Sequence, residues 1–216
     1  MATAKSIIVF GATGGTGRQV VAQALRTGLR VTAVVRNPAA FSLQHPSLTI
    51  VEGDVLAPLT FEGALPGHDA VLSCLGTQQR VATTVYSQGT CNIMAAMHRA
   101  GVKRLLCLSA GAVEVPPLRA SWLIRLVTRY VLQKVFRHLY ADMLRMEALL
   151  QGEMNLNWTI IRPPRLVTGP RTGRYRVAVN QPLRQPNKIS RADLADYMVQ
   201  HLDDAHTYRA TVELAY

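Results

Sequence analysis

The feature that most constrains this chain is a glycine-rich turn between an apolar run and an amphipathic helix. Ile7-Ile8-Val9-Phe10 reads as a buried strand, and Gly11-Ala12-Thr13-Gly14-Gly15-Thr16-Gly17 follows it directly. Val20, Val21, Ala24 and Leu25 then fall on one face of a helix that stops at Gly28. In a strand–turn–helix of this kind, Gly11 permits the sharp turn, Gly14 lets backbone approach a ligand, and Gly17 lets helix and strand pack closely. The helix start offers unbonded N–H groups and the positive end of its dipole, which suits a pyrophosphate. The spacing is G-x-x-G-x-x-G rather than G-x-G-x-x-G, so the flanking strand and helix carry the reading as much as the glycines do.

A second strand, Arg30-Val31-Thr32-Ala33-Val34-Val35, ends at Arg36. In a dinucleotide fold this place lies beside the adenosine ribose, where an acid bonds the 2′-hydroxyl of NAD and an arginine pairs with the 2′-phosphate of NADP. No Asp or Glu precedes Glu52. The reading therefore favours NADP(H); otherwise Arg36 is a surface arginine ending a strand. Residues 37–46 read as a loop or weak helix. Residues 48–51 form a third strand that runs into Glu52-Gly53-Asp54-Val55, where Asp54 either holds the adenine side of a cofactor or caps the next helix. A short helix is expected over 58–65, and a buried strand over 70–75 ends at Gly76-Thr77, where a small residue lets backbone approach the cofactor.

Residues 83–100 fit a long helix closed by Gly101, with Val85, Ile93, Met94 and Met97 as core. The strand over 105–108 leaves through Ser109-Ala110-Gly111, which puts Ser109 at the sheet's carboxyl edge, either as a substrate-facing hydroxyl or as a turn residue. Trp158-Thr159-Ile160-Ile161 runs into Arg162-Pro163-Pro164-Arg165, whose prolines stiffen the exit. Gly169-Pro170 and Gly173 mark loops, and 175–179 alternates like a strand. Ser190-Arg191-Ala192-Asp193 starts an N-capped helix through Leu202, and 207–214 is a last strand. Strands alternating with helices give an α/β fold with a doubly wound parallel sheet, a Rossmann fold. The expectation is three layers, α/β/α, with a small C-terminal substrate-side lobe, in one domain over residues 1–216.

The formal charge is +11. Between residues 162 and 191 basic residues occur without an acid, but no nucleic-acid-binding motif accompanies them. An anionic cofactor or substrate accounts for part of the charge and a solvated basic face for the rest, so no nucleic-acid partner is expected. Residues 118–150 interleave apolar helical spacing with Arg119, Arg125, Arg129, Lys134, Arg137 and His138. They read as one long helix or two covering the sheet and walling the substrate pocket, while arginine stems lie along apolar surface. Such a segment also suits a membrane surface or a protein partner. No apolar run reaches the roughly 18 residues of a transmembrane helix, and no signal peptide is seen. Cys74, Cys91 and Cys107 have no metal-like spacing; they read as reduced cysteines of a cytoplasmic protein, with no metal site.

Taken together, these residues resemble the atypical short-chain dehydrogenase/reductase group. Within it the chain is most similar to NAD(P)H-binding proteins related to biliverdin reductase B, also called flavin reductase, and more loosely to NmrA-like proteins. The resemblance runs over essentially the whole chain and rests on Gly11–Gly17, Val35-Arg36, Gly53-Asp54-Val55-Leu56, Leu75-Gly76-Thr77, Thr84-Val85-Tyr86-Ser87, Leu108-Ser109-Ala110, Leu144-Arg145-Met146, Pro163-Pro164 and Ile189-Ser190. It implies that Thr13, Gly14, Gly15 and Thr16 hold the diphosphate, Arg36 the 2′-phosphate, Asp54 and Val55 the adenine side, and Leu75 and Gly76 the length of the dinucleotide. It places Cys107, Ser109, Pro164 and Leu166 near the nicotinamide. A serine matching Ser109 lines the reduction site of the flavin-reductase branch. That branch's two histidines are Met143 and Arg165 here, and its second phosphate-binding arginine is Ala40, which leaves Arg36 as the main 2′-phosphate ligand.

The Tyr-x-x-x-Lys pair of ordinary short-chain dehydrogenases donates a proton from a tyrosine whose pKa the lysine lowers. Tyr130 and Lys134 have that spacing but lie about ten residues upstream of the place the resemblance implies, where Tyr140 is followed by Leu144. They read as part of the amphipathic segment. The function expected is hydride transfer from NADPH to a small planar acceptor such as flavin or a quinone. Ser109 lies beneath the acceptor, and Arg165 anchors an acidic substituent or stabilises developing negative charge. The alternative from another class is a non-catalytic NADP(H) sensor acting on a protein partner through 118–150. Sugar-nucleotide epimerase chemistry is a weaker third, opposed by the absent lysine.

Overall fold

The computed structural model describes residues 5–77, 81–113 and 136–216. Its elements, in chain order, are β1 (Ser6–Phe10), α1 (Gly15–Arg26), β2 (Arg30–Val35), β3 (Leu48–Glu52), β4 (Ala70–Ser73), α2 (Ser87–Ala100), β5 (Arg104–Leu108) and α3 (Arg137–Gln151). They continue with β6 (Asn157–Arg162), β7 (Arg165–Val167), β8 (Arg176–Val179), β9 (Lys188–Ser190), α4 (Arg191–Gln200) and β10 (Ala210–Ala215). Among the described residues eight strands make one sheet in the order β3-β2-β1-β4-β5-β6-β10-β8, in which only β8 is antiparallel to its neighbour; β7 and β9 pair separately. The strand order reverses between β1 and β4, the switch point beside which open α/β sheets bind ligands at the carboxyl ends of their strands.

The continuous apolar runs are explained by burial on both faces. Along β1, Ile7 and Val9 pack with Val20, Val21 and Leu25 of α1 and Leu194 and Met198 of α4. Ile8 and Phe10 alternate to the other side, with Ile93 and Met97 of α2 and Met146 and Leu150 of α3. The strand period of two thus divides one sheet between two helical layers. The expected doubly wound α/β/α sheet is the fold observed. The two-stranded β7–β9 unit is the small C-terminal lobe.

Two polar devices fix the layers. The start of α2 has no side-chain cap of its own, and Asp142 of α3 supplies one: its carboxylate accepts from the amide of Tyr86 at 2.9 Å and from the hydroxyl of Ser87. At the opposite end of the sheet the buried guanidinium of Arg104 donates to the carbonyls of Leu202, Asn157 and His201 and the hydroxyls of Thr159 and Thr207, at 2.7 to 3.0 Å. Burial pushes its pKa down to about 10.

Several expected boundaries shift. The helix expected from residue 83 starts at Ser87, because the cap from Asp142 falls at Tyr86 and Ser87. The span 58–65 forms two 3-10 turns, Pro58–Thr60 and Glu62–Ala64, separated at Phe61 by a φ of −134°. The last strand begins at Ala210 rather than 207, since Arg209 sits at φ 52°. The Tyr130–Lys134 pair and most of the basic segment expected over 118–150 lie outside the described residues; the described part is α3.

Candidate functional site

The glycine turn is built as its sequence implies, and steric contact explains why. Gly11 has φ +72°, and a Cβ there would stand 2.2 Å from the carbonyl oxygen of Cys74. A Cβ on Gly17 would stand 2.2 Å from the carbonyl oxygen of Gly11. The turn is therefore pressed against the exit of β4 on one side and the start of α1 on the other. Its outer surface is open: Thr13, Gly14 and Gly15 are exposed. The N-cap Gly14 has no side-chain cap and no acid stands in the first turn of α1. The first-turn amides of an α-helix have no intrahelical acceptor. With no side-chain cap here either, they and the helix dipole face outward as an anion cradle. Arg36 leaves β2, the strand paired with β1, exposed.

A residue that the sequence reading passed over enters here. Arg18 of α1 donates from Nε to the Thr13 carbonyl at 2.9 Å and from a terminal nitrogen to the Ala40 carbonyl at 3.1 Å. It stands above the Phe41 ring, 6.0 Å from its centroid. A basic residue directly after the last glycine was the available signal. Ala40 itself brings no charge, but a guanidinium reaches it from α1.

The Asp54 carboxylate accepts from the Leu56 amide at 2.9 Å in the turn after β3; it does not cap the following 3-10 turn, whose N-cap is Ala57. Val55 is buried and receives the side-chain amide of Asn92 on its carbonyl at 2.7 Å. A Cβ on Gly89 would meet Val55 at 2.9 Å and Leu75 at 3.3 Å, so these two side chains converge on the start of α2. Gly76 is exposed at the exit of β4.

The exits of β5 and β6 meet at Ser109. Its amide donates to the Ile161 carbonyl at 2.8 Å, and the Gly111 amide donates to the Pro163 carbonyl at 2.8 Å. By strand alternation Ser109 shares the face of Leu105 and Cys107, on the α2–α3 side. Its Oγ is buried and without a partner among the described residues, although the residue is only 6% exposed. Buried hydroxyls normally find partners. Cys107 is different: its thiol is fully buried against the sulfur of Met146 at 3.4 Å and near the Thr90 hydroxyl at 3.9 Å. Burial pushes it up to about 11, so its side chain is neutral core beneath Ser109.

Pro163 is buried, Pro164 half-buried and Arg165 exposed. The turn is anchored from behind, where the Arg162 guanidinium pairs with the buried Glu147 of α3, Nε to Oε1 at 3.0 Å and a terminal nitrogen to Oε2. Past it, β7 pairs in parallel with β9, setting Arg165 opposite Lys188 and Leu166 opposite Ile189. Leu166 packs on the α1–α4 core. These two short strands were not legible in advance. Met143 and Tyr140 of α3 pack on the Ser109 face, and the exposed Leu144 stands where a lysine would complete a dyad.

The lobe is held by Asp193 of α4. Its carboxylate accepts from the Thr172 amide at 2.7 Å, the Thr172 hydroxyl and the Gly173 amide at 2.9 Å, and the Tyr216 hydroxyl at 2.6 Å. Burial opposes ionisation, but the Tyr216 hydroxyl and the Gly173 and Thr172 amides prevail and hold this carboxyl below its usual range. The folded value is thus below the unfolded one. Its stabilisation is complete above the unfolded pKa, about 4, and is lost as pH falls through the folded value. Asp193→Asn should lower stability at neutral pH by about 2–4 kcal/mol by unpairing these donors. Urea midpoints measured from pH 6 down to pH 3 should fall less steeply in this variant than in wild type.

Among the described residues there is no cluster of metal-ligating side chains and no helix long and apolar enough to cross a membrane. A sequence profile described as NAD(P)H-binding matches residues 11–205. A stretch of 116 residues is 34% identical to the photosystem II assembly factor Ycf39 of a Synechocystis strain, covering 51% of this chain and 35% of that protein. The match thus spans about a third of that relative's length. Among solved structures, a candidate NADH-flavin reductase from Streptococcus pneumoniae superposes with a TM-score of 0.79 at 24% identity, over 98% of this chain and 99% of the other. A short-chain dehydrogenase/reductase from Veillonella parvula, in complex with NADP, superposes with a TM-score of 0.77 at 18% identity, over 98% and 94%. These likenesses establish the fold.

Proposed function

Because the chain belongs to the NAD(P)H-binding family, with the Rossmann fold of oxidoreductases, we propose that it is an NADPH-dependent reductase passing a hydride to a small planar acceptor, flavin or a quinone-like compound. The observation that carries the reading is the buried, unpartnered Oγ of Ser109 at the carboxyl end of β5. Ser73 Oγ and the Tyr197 hydroxyl are also unpartnered among the described residues, but Ser109 leaves its strand at the edge where open α/β sheets bind ligands, and we assign its hydroxyl to one. The glycine turn fits a dinucleotide, since Gly11 and Gly17 leave no room for a Cβ and the uncapped start of α1 faces outward. Arg36 and Arg18 supply charge for a 2′-phosphate, and no acid stands where NAD would need one.

The bound cofactor supplies the hydride. The amides of the turn hold its diphosphate, Asp54, Val55, Leu75 and Gly76 border its adenosine half, and Pro164 and Leu166 flank its nicotinamide end. Ser109 Oγ would hydrogen-bond the acceptor and orient it for the hydride. Arg165, aimed by the stiff turn that Glu147 anchors through Arg162, binds an acidic substituent or stabilises negative charge on the reduced acceptor. The three cysteines are free thiols, consistent with work in the reducing cytoplasm.

A second reading draws on the assembly-factor relative: the same site serves as an NADP(H) sensor that acts on a protein partner. Ser109→Ala separates the two. In a reductase it should lower kcat about 10- to 100-fold while the Kd for NADPH stays within about threefold, as expected for an interaction made in the transition state. Arg165→Ala should raise KM for the acceptor and spare NADPH binding. Loss of NADPH affinity in either variant would reassign that residue to the cofactor site.

A further inference from the structure

Arg191 is the first residue of α4, yet its side chain crosses to α1. A Cβ built on Gly15 would stand 2.8 Å from Arg191 Cδ and 2.9 Å from its Nε. The arginine stem therefore lies on the backbone of Gly15, the first helical residue after the glycine turn. Among the described residues no hydrogen bond or ion pair engages its guanidinium. The acids of its own helix are already occupied. Asp193 takes Thr172, Gly173 and Tyr216, and Asp196 takes Arg171 at 2.7 Å and Tyr175 at 2.9 Å.

Electrostatically this is the wrong place for a lone cation. A positive charge in the first turn of α4 faces the positive end of that helix's dipole, which Asp193 in the same turn offsets in part, and the start of α1, which has no acid, presents another. Two helix starts and a guanidinium thus meet over one exposed turn, and the acid in the first turn of α4, Asp193, is turned to Thr172, Gly173 and Tyr216. The acid-free start of α1 and the guanidinium beside it become favourable together when a doubly charged group sits on the turn.

We propose that Arg191 is a diphosphate ligand that lies across Gly15 and closes the glycine turn over the cofactor from the C-terminal lobe. This rests on the dinucleotide reading above. It also joins the two halves of the site. Arg191 directly follows β9, and β9 pairs with β7, the strand that carries Arg165. An anchored diphosphate therefore holds the acceptor-side lobe against α1.

The test is the Kd of NADP+, NAD+ and ADP-ribose, which share the diphosphate, for wild type, Arg191→Ala, Arg191→Lys and Arg36→Ala, with melting temperatures of the ligand-free proteins. Loss of one charge-assisted contact predicts that Arg191→Ala weakens all three ligands by a common factor of about 10- to 100-fold. Arg191→Lys should recover part of the loss, and Arg36→Ala should weaken NADP+ alone. The ligand-free Arg191→Ala protein should melt within about 2 °C of wild type, because among the described residues no hydrogen bond or ion pair holds that guanidinium. Affinities within about threefold of wild type for all three ligands overturn the proposal. So does a melting temperature lowered beyond that range in the ligand-free variant, which would make Arg191 a packing residue. Wild type that binds none of the three refutes the dinucleotide reading itself, a failure separate from that of Arg191 alone.

Discussion

Gly17→Ala is expected to lower the melting temperature by about 6–12 °C and to abolish nucleotide binding. The added Cβ would stand 2.2 Å from the Gly11 carbonyl oxygen and 2.9 Å from the Ala12 Cα, both backbone atoms. No rotamer change relieves such a contact, so α1 must move away from β1. Overpacking of this kind costs about 3 kcal/mol, and in a protein of this size each kcal/mol shifts the midpoint by about 2–4 °C. The displacement also re-aims the start of α1, on which the diphosphate reading depends. Gly63→Ala is the control: a Cβ there meets nothing within 4 Å, and the change should stay within about 0.5 kcal/mol. A Gly17→Ala protein as stable as the control would mean that the close approach of helix and strand is not what that glycine provides.

Arg36→Ala should weaken NADPH about 10- to 100-fold and leave NADH within about threefold, read by titration of nicotinamide fluorescence. The 2′-phosphate is the sole difference between the two cofactors, and a charge-assisted contact contributes about 1.5–3 kcal/mol. Arg18 limits the loss, because its guanidinium is already fixed between the Thr13 and Ala40 carbonyls at the same end of the turn. Arg36→Ala combined with Arg18→Ala should therefore reverse the preference toward NADH. Equal losses for both cofactors in Arg36→Ala would place that arginine on a group the two share.

Much of the fold was legible because the signals are local. The run at Ile7–Phe10, the glycines and the helix face of Val20, Val21, Ala24 and Leu25 each read within one turn or one strand, and together they specify β1, the glycine turn and α1. Ser109 was placed by the same logic, as the residue leaving a buried strand. What escaped depends on contacts distant in sequence. The start of α2 is set by Asp142, 55 residues on from Ser87. The strands β7 and β9 are three residues each and stabilise one another across 23 positions, with no apolar alternation long enough to announce them. Arg18 and Arg191 were not singled out because their neighbours, Ala40 and Gly15, carry no side-chain signal of a binding site.

The central claim is that this sheet edge delivers a hydride from NADPH to a planar acceptor. It is tested most directly by following NADPH oxidation with the purified protein against FMN, riboflavin, a quinone and biliverdin. The account predicts turnover with at least one of the flavin or quinone acceptors, faster with NADPH than with NADH, and lost in Ser109→Ala. Tight NADPH binding with no turnover on any acceptor would contradict it and leave the site as a sensor of the cofactor it holds.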